Sequence, residues 1–98
     1  MINIAAEDLA TLRAVLSAHL SAGEVRAFGS RVSGAVKAYS DLDLMIKLSA
    51  AIDLQSMGRL REALQESTLP FRVDLVDWHS SGDEFRKIME AGSERVWP

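Results

Sequence analysis

Two short motifs in the first half of the chain have the residue types needed for chemistry on a nucleotide. Gly29 and Ser30 follow an apolar run, and Asp41 and Asp43 come soon after, separated by Leu42. Because alternate residues of a strand point to the same side, one face would present both carboxylates while the leucine faces the core. Ser30 could bind a phosphate, and the two carboxylates could hold Mg²⁺ against it. The spacing therefore predicts a nucleotidyl-transfer site.

Asp74 supplies a third carboxylate in an apolar setting, between Val73 and Leu75. Carboxylates that lie close together resist joint ionisation unless a positive charge lies between them, and burying one without a partner is costly. If the two acidic strands are neighbours, all three carboxylates could converge on one metal–phosphate site, with Asp74 accepting or orienting the proton of an attacking hydroxyl. We therefore predict Asp41, Asp43 and Asp74 as metal ligands and catalytic residues.

The hydrophobic pattern predicts the elements that hold the first motif. Leucines at three- and four-residue spacing predict an amphipathic helix over residues 5–20, ended by Gly23. Residues 24–28 are predicted to form a strand, with Val25 and Phe28 in the core. A short helix or turn over residues 30–36 would direct its N-terminal amides toward the strand end, where they favour an anion.

The acidic motifs are predicted to lie on two further strands, residues 41–48, which are apolar enough to be central, and residues 71–78. Asp53 is predicted to cap a helix that runs to about residue 67. Its inward positions would be Leu54, Met57, either Leu60 or the stem of Arg61, and Leu64.

The end of the chain is predicted to add a helix and an edge strand. Ser81 and Glu84 resemble a capping box that begins a helix with Phe85, Ile88 and Met89 on one stripe. Residues 95–98 could add a short edge strand or dock loosely, and Trp97 is either core or an anchor for a partner. The order helix, strand, short helix, strand, helix, strand, helix is typical of α/β or α+β architectures.

Composition sets outer bounds on the protein's class. The 98 residues, of which 48% are apolar and 26% charged, predict one globular domain spanning 1–98. The chain has no cysteine and shows neither a signal peptide nor an apolar run of the ~20 residues that a membrane span needs, so a cytoplasmic location is expected. The net charge of −3 makes nucleic acid an unexpected partner.

The combined motifs resemble a known family. The strings FGSRVSG at 28–34, SDLDL at 40–44 and VDLV at 73–76 are similar to those of the nucleotidyltransferase superfamily that includes DNA polymerase beta and kanamycin nucleotidyltransferase. The similarity is closest to the minimal nucleotidyltransferases, single domains that act as antitoxins beside a HEPN-domain toxin, and it covers essentially the whole chain. Departures at Val32, Ser33 and the C-terminal residues do not touch the carboxylates.

The resemblance implies a small mixed sheet flanked by helices and a Mg²⁺-dependent transfer of AMP from ATP to a tyrosine of the toxin. It further implies that Gly29 and Ser30 cradle the triphosphate, that Asp41 and Asp43 bind metal, and that Asp74 completes the site. Arg31 is expected either to contact the triphosphate or to pair with one of the first two carboxylates.

Two other functions remain open at this point. The chain could be an antitoxin that inhibits its partner by binding alone, although a pure binder gains nothing from carboxylates in apolar strands. It could also modify a small molecule of the aminoglycoside type within a larger assembly. The sequence likewise leaves open whether the protein forms a homo- or hetero-oligomer.

Overall fold

A mixed sheet forms the centre of the computed structural model, which describes residues 3–29 and 41–98. The strands are β1 (Glu24–Phe28), β2 (Leu42–Lys47), β3 (Val73–Asp77) and β4 (Glu94–Trp97). Within the described residues their order is β3-β2-β1-β4. β1 is antiparallel to β2 and β4, whereas β2 and β3 are parallel. The interior position of β2 confirms the prediction from its apolar sequence.

The helices of the described residues are α1 (Ala6–His19), α2 (Leu54–Glu66) and α3 (Asp83–Ala91), with a 3₁₀ turn at Trp78–Ser80. These flank the sheet, which confirms the predicted α+β fold. In the described part of the chain the longest helix, α1, has 14 residues, and no helix has the combination of length and apolarity that a membrane span requires.

The two faces of the sheet differ in chemistry. One face, called here the core face, packs against α1 and α2 through Leu12, Leu16, Leu60 and Leu64. Its strand residues are Val25, Ala27, Leu42, Leu44, Ile46 and Leu75. The other face, called here the charged face, carries the alternate residues. These are Glu24, Arg26, Phe28, Asp43, Met45, Lys47 and Asp74.

The structure confirms the predicted cap of α2 and decides between the alternatives left open for the C-terminal residues. Asp53 caps α2, because its carboxylate accepts hydrogen bonds from the backbone N–H and the hydroxyl of Ser56, both at 2.8 Å. The C-terminal residues form β4, where Trp97 is buried and its indole N–H donates to the Ser17 hydroxyl at 2.9 Å. Trp97 is therefore part of the core.

The predictions for the two ends of β1 were wrong in detail. Helix α1 ends at His19 with an extended Leu20, so Gly23 does not cap it and lies instead in the turn before β1. Gly23 has φ +96°, and a Cβ there would meet the Lys47 carbonyl oxygen at 2.6 Å. Phe28 does not share the core face with Val25, because residues three apart on a strand point to opposite sides.

Three helix positions also differ from the prediction. Leu54 is 90% exposed, because the buried stripe of α2 begins one turn later at Met57, and Ile52 packs against the core before the helix starts. The capping box is not formed, since the Ser81 hydroxyl donates to the Asp77 carbonyl and α3 begins after Gly82. Ile88 is 62% exposed, which leaves Met89 as the buried member of that stripe.

Candidate active site

Asp43 and Asp74 lie side by side on the charged face. They are direct partners in the parallel register of β2 and β3, so their side chains project from the same side of adjacent strands. On its other flank Asp43 is paired with Phe28 of β1. The sheet thus forms a row of Phe28, Asp43 and Asp74, which brings together two carboxylates that are 31 positions apart in sequence.

Local sequence explains why β2 presents Asp43 in this way. Leu42 and Leu44 are fully buried on the core face, and that burial fixes the register of the strand. A slip of one residue would place Asp43 in the core and expose both leucines. Asp41, exposed and just before the strand, lies near enough for its charge to act on Asp43.

The electrostatics of the pair are those of a crowded acidic site. Partial burial raises the pKa of Asp43 above its ordinary value, and the negative charges of Asp74 and then Asp41 raise it further. Among the described residues, the Arg72 guanidinium forms an ion pair with this site, its Nε lying 3.4 Å from an Asp74 carboxylate oxygen. Arg72 is largely exposed, so this pair is worth only about 0–1 kcal/mol.

Gly29 leaves the space that the Asp43 carboxylate occupies. It follows β1 directly and has φ +79°, a conformation that favours glycine. A Cβ at this position would lie 2.5 Å from Oδ2 of Asp43. Sequence reasoning assigned Gly29 to the phosphate cradle and missed this contact, because the two residues are neighbours only through the pairing of β1 with β2.

The other half of the predicted nucleotide-binding motif, Ser30 and Arg31, lies outside the described residues, as does the predicted helix over residues 30–36. Their nucleotide-binding roles therefore stay predictions.

The arrangement of the carboxylates fits a divalent cation that is held by two of them. Within residues 3–29 and 41–98, no group of three or more Asp, Glu, His or Cys side chains is close enough to hold one metal ion together. Mg²⁺ usually takes one or two carboxylates and completes its shell with water and substrate phosphates. The mutual repulsion that raises the pKa of Asp43 is what such a cation would relieve.

Aromatic side chains that the sequence argument did not assign to the site cover this end of the charged face. Phe85 of α3 meets Phe28 edge to face, with ring centroids 5.1 Å apart and planes at 85°. The contact places α3 over the charged face beside Asp43. A phenylalanine directly before the Gly-Ser motif is the sequence signal that could have indicated it.

Asp77, at the end of β3, is not part of the site. It is buried on the side of the core face, where its carboxylate accepts hydrogen bonds from the backbone N–H groups of Ile52 and His79, both at 3.2 Å, and from the Ser80 hydroxyl. These donors satisfy the carboxylate in a structural role.

Comparison with known proteins places this arrangement in a family. The family model described as polymerase beta, nucleotidyltransferase, matches residues 11–96. The probable protein adenylyltransferase MntA of Haemophilus influenzae is 44% identical over 88 residues, which cover 90% of this chain and 77% of that protein.

Solved structures show the same fold at lower identity. A chain in the crystal structure of a toxin–antitoxin with AMP-PNP matches with a TM-score of 0.77 and 21% identity, over 91% of this chain and 72% of its own length. A chain in the structure of the tri-AMPylated Shewanella oneidensis HEPN toxin with MNT antitoxin matches with a TM-score of 0.70 and 20% identity, over 93% and 70% respectively. The sequence matches decide membership: the chain belongs to the polymerase beta family of nucleotidyltransferases.

Proposed function

We propose that this protein transfers AMP from ATP to a tyrosine hydroxyl of a cognate HEPN toxin and thereby acts as an antitoxin. The observation that carries the proposal is the pairing of Asp43 with Asp74 beside Gly29. The 44% identity to a protein adenylyltransferase supports protein as the acceptor class. The structural neighbours, which include toxin–antitoxin complexes and an ATP analogue, are consistent with a toxin and ATP as partners.

The reaction makes one bond and breaks one. The acceptor oxygen attacks the α-phosphorus of ATP, the bond between the α-phosphorus and the bridging oxygen breaks, and pyrophosphate leaves. The acceptor proton has to go to a base. We assign that role to Asp74, whose side chain is partly exposed at the edge of the described sheet, where a hydroxyl from another protein can reach it.

Asp41 and Asp43 are proposed to hold Mg²⁺. When bound, Mg²⁺ would offset negative charge on the triphosphate and on the reacting phosphorus. Asp43 is the better defined of the two ligands, since flanking strands fix its position and Gly29 leaves its Oδ2 uncovered. Gly29, Ser30 and Arg31 are proposed to contact the triphosphate.

A label-transfer assay tests the proposal. The protein is incubated with Mg²⁺, its cognate HEPN toxin and ATP labelled at either the α- or the γ-phosphate. We expect label on the toxin from α-labelled ATP and none from γ-labelled ATP, which distinguishes AMP transfer from phosphorylation. Asp43→Asn should lower the label by roughly 10²–10³-fold. Asp53→Asn is the matched control, because asparagine caps a helix about as well as aspartate.

The same assay decides between this proposal and the alternatives. A stable complex that neutralises the toxin without label, or that neutralises it equally well with Asp43→Asn, would support inhibition by binding and overturn the proposal. Labelling of a free aminoglycoside in place of the toxin would support a small-molecule enzyme. The cytoplasmic location, the single-domain extent of residues 1–98 and the oligomeric state stay predictions.

A further inference from the structure

A groove runs along β3 next to the candidate active site. It lies between the second half of α2 and β3, has a volume of about 530 Å³, and is called here the α2–β3 groove. The residues that define it are Arg61, Gln65, Leu69, Phe71, Arg72 and Asp74. Its size is in the range of sites that bind a side chain or small ligand. Because Asp74 belongs both to the groove and to the carboxylate row, the groove is continuous with the candidate active site.

The backbone of β3 is available along this groove. Within residues 3–29 and 41–98, β3 pairs with no strand other than β2. The carbonyl of Arg72 accepts from the Leu42 N–H at 2.8 Å, so it points toward β2. Along a strand, the backbone N–H and C=O groups of successive residues point to opposite sides. The N–H and C=O groups of Val73 and Leu75 therefore point away from β2. An extended polypeptide could pair with them as an additional strand.

The charge of the groove favours an acidic occupant. The protein carries a net charge of −3, yet the groove has two arginines, Arg61 and Arg72, against one carboxylate. Both arginines are exposed, and among the described residues Arg61 has no ion pair. Arg72 already pairs with Asp74 on the charged face, so an acidic side chain on the α2 side of the groove would meet the guanidinium of Arg61, which can bind a carboxylate in a bidentate manner.

We propose that the α2–β3 groove binds the segment of the protein substrate that carries the acceptor hydroxyl, as an extended strand added to β3. This inference rests on the proposed function. The segment pairs with Val73 and Leu75, directs an acidic side chain toward Arg61 on the α2 side of the groove, and delivers its hydroxyl to Asp74 on the charged face. Because neighbouring residues of a strand point to opposite faces, the acidic residue is one or three positions from the acceptor.

Charge reversal on α2 tests the groove. Arg61→Glu is compared with Arg59→Glu, a matched change on the same helix at an exposed position outside the groove. Binding of the intact cognate HEPN toxin is measured by calorimetry, and transfer kinetics are measured with each substrate varied. We expect Arg61→Glu to raise Kd and KM for the toxin about tenfold, equivalent to about 1.4 kcal/mol, and to leave KM for ATP unchanged. Arg59→Glu should match the wild type in every measurement.

Two further readouts test the strand addition itself. Hydrogen exchange at the amides of Val73 and Leu75 should slow in the complex with the toxin. Replacing the acidic toxin residue one or three positions from the acceptor with lysine should restore binding to Arg61→Glu. Unchanged exchange at both amides would overturn the proposal, as would equal toxin binding by Arg61→Glu and Arg59→Glu.

The outcomes separate this inference from the proposed function. If the wild type transfers no label but Arg61→Glu alone weakens toxin binding, the proposed function fails and the groove stands as a docking site. If the wild type transfers label and both charge reversals behave like the wild type, the transfer stands and the groove proposal fails. A raised KM for ATP in Arg61→Glu would assign the groove to the nucleotide and overturn the proposal.

Discussion

The core face and the charged face are built from the same strands, but they have different roles. On the core face, Leu42, Leu44 and Ile46 are fully buried, and each such side chain contributes roughly 1.5–3 kcal/mol through burial. On the charged face, the alternate residues of β2 include Asp43, whose pKa is raised by burial and by neighbouring carboxylates. One strand therefore supplies stability on one side and places a destabilising charge on the other.

The comparison shows how a domain this small can hold a carboxylate under repulsion. The leucines that flank Asp43 fix the register, so the backbone of Asp43 cannot shift relative to Asp74 without exposing buried leucine. The phenylalanine contact between β1 and α3 covers the same end of the charged face. We interpret the unfavourable charge as retained for function, since residues that bind a cation are often arranged at the expense of stability.

The largest expected effect is on AMP transfer and comes from neutralising Asp43 on the charged face. Asp43→Asn should lower AMP transfer by roughly 10²–10³-fold, because it removes a preorganised charge from the reaction centre. It should not lower the melting temperature, since the charge it removes is under repulsion. Transfer assays and thermal melts on the same preparation check both expectations. A loss of activity that came with loss of fold would break the contrast between the faces.

The core face should show the opposite behaviour. Leu44→Ala should cost about 2–5 kcal/mol of unfolding free energy, because it leaves a cavity at a fully buried position. Leu54→Ala is the matched control, and at a position that is 90% exposed it should change stability by less than about 0.5 kcal/mol. Urea denaturation measures both. Equal effects would contradict the observed burial of these two leucines.

Two glycine substitutions compare a position at the edge of the site with a position in α2. Gly29→Ala should cost about 1–2 kcal/mol from its positive φ and should also lower transfer, because the new Cβ crowds Oδ2 of Asp43. Gly58→Ala in α2, where a Cβ meets nothing within 4 Å, should instead stabilise the protein by about 0.4–1 kcal/mol. Denaturation together with transfer kinetics distinguishes the two. A tolerated Gly29→Ala would contradict the close contact with Asp43.

The smallest effect is a pH dependence of stability without metal. Between the ordinary pKa of an aspartate, 3.8, and the raised value, folded Asp43 keeps a proton that the unfolded chain has lost. Stability from this group therefore falls as pH rises through that window, and the deficit is complete above the raised pKa. Denaturation in EDTA from about pH 4 to about pH 7 should show the wild type losing stability relative to Asp43→Asn. If the difference in unfolding free energy between the wild type and Asp43→Asn did not change with pH, the raised pKa of Asp43 would be contradicted.

Much of the fold could be predicted from the sequence because its signals are local. The leucine spacing predicted α1 and most of α2, and Asp53 was predicted to cap α2. The position of Asp43 between two leucines predicted the face on which it lies. The adjacency of Asp74 was a conditional prediction, since periodicity along one strand does not determine which strand lies beside it. The register of β2 with β3 confirmed it.

The errors arise where one local signal competes with another contact made nearby in the chain. Ser81 matches the first residue of a capping box, but its hydroxyl donates a hydrogen bond to the Asp77 carbonyl instead. Leu54 has the right spacing, but Ile52 already packs against the core ahead of it. The role of Gly29 beside Asp43 could not be deduced at all, since it depends on the pairing of two strands.

The most direct test of the central claim is the thermal stability of wild type and Asp43→Asn, each with and without Mg²⁺ and AMP-PNP. We expect Mg²⁺ with the nucleotide analogue to raise the melting temperature of the wild type, because the cation neutralises the repelling carboxylates and ligand binding adds stability. Asp43→Asn should start at least as stable and respond weakly or not at all. An equal rise in both proteins would contradict the claim that Asp43 on the charged face holds the metal and the nucleotide.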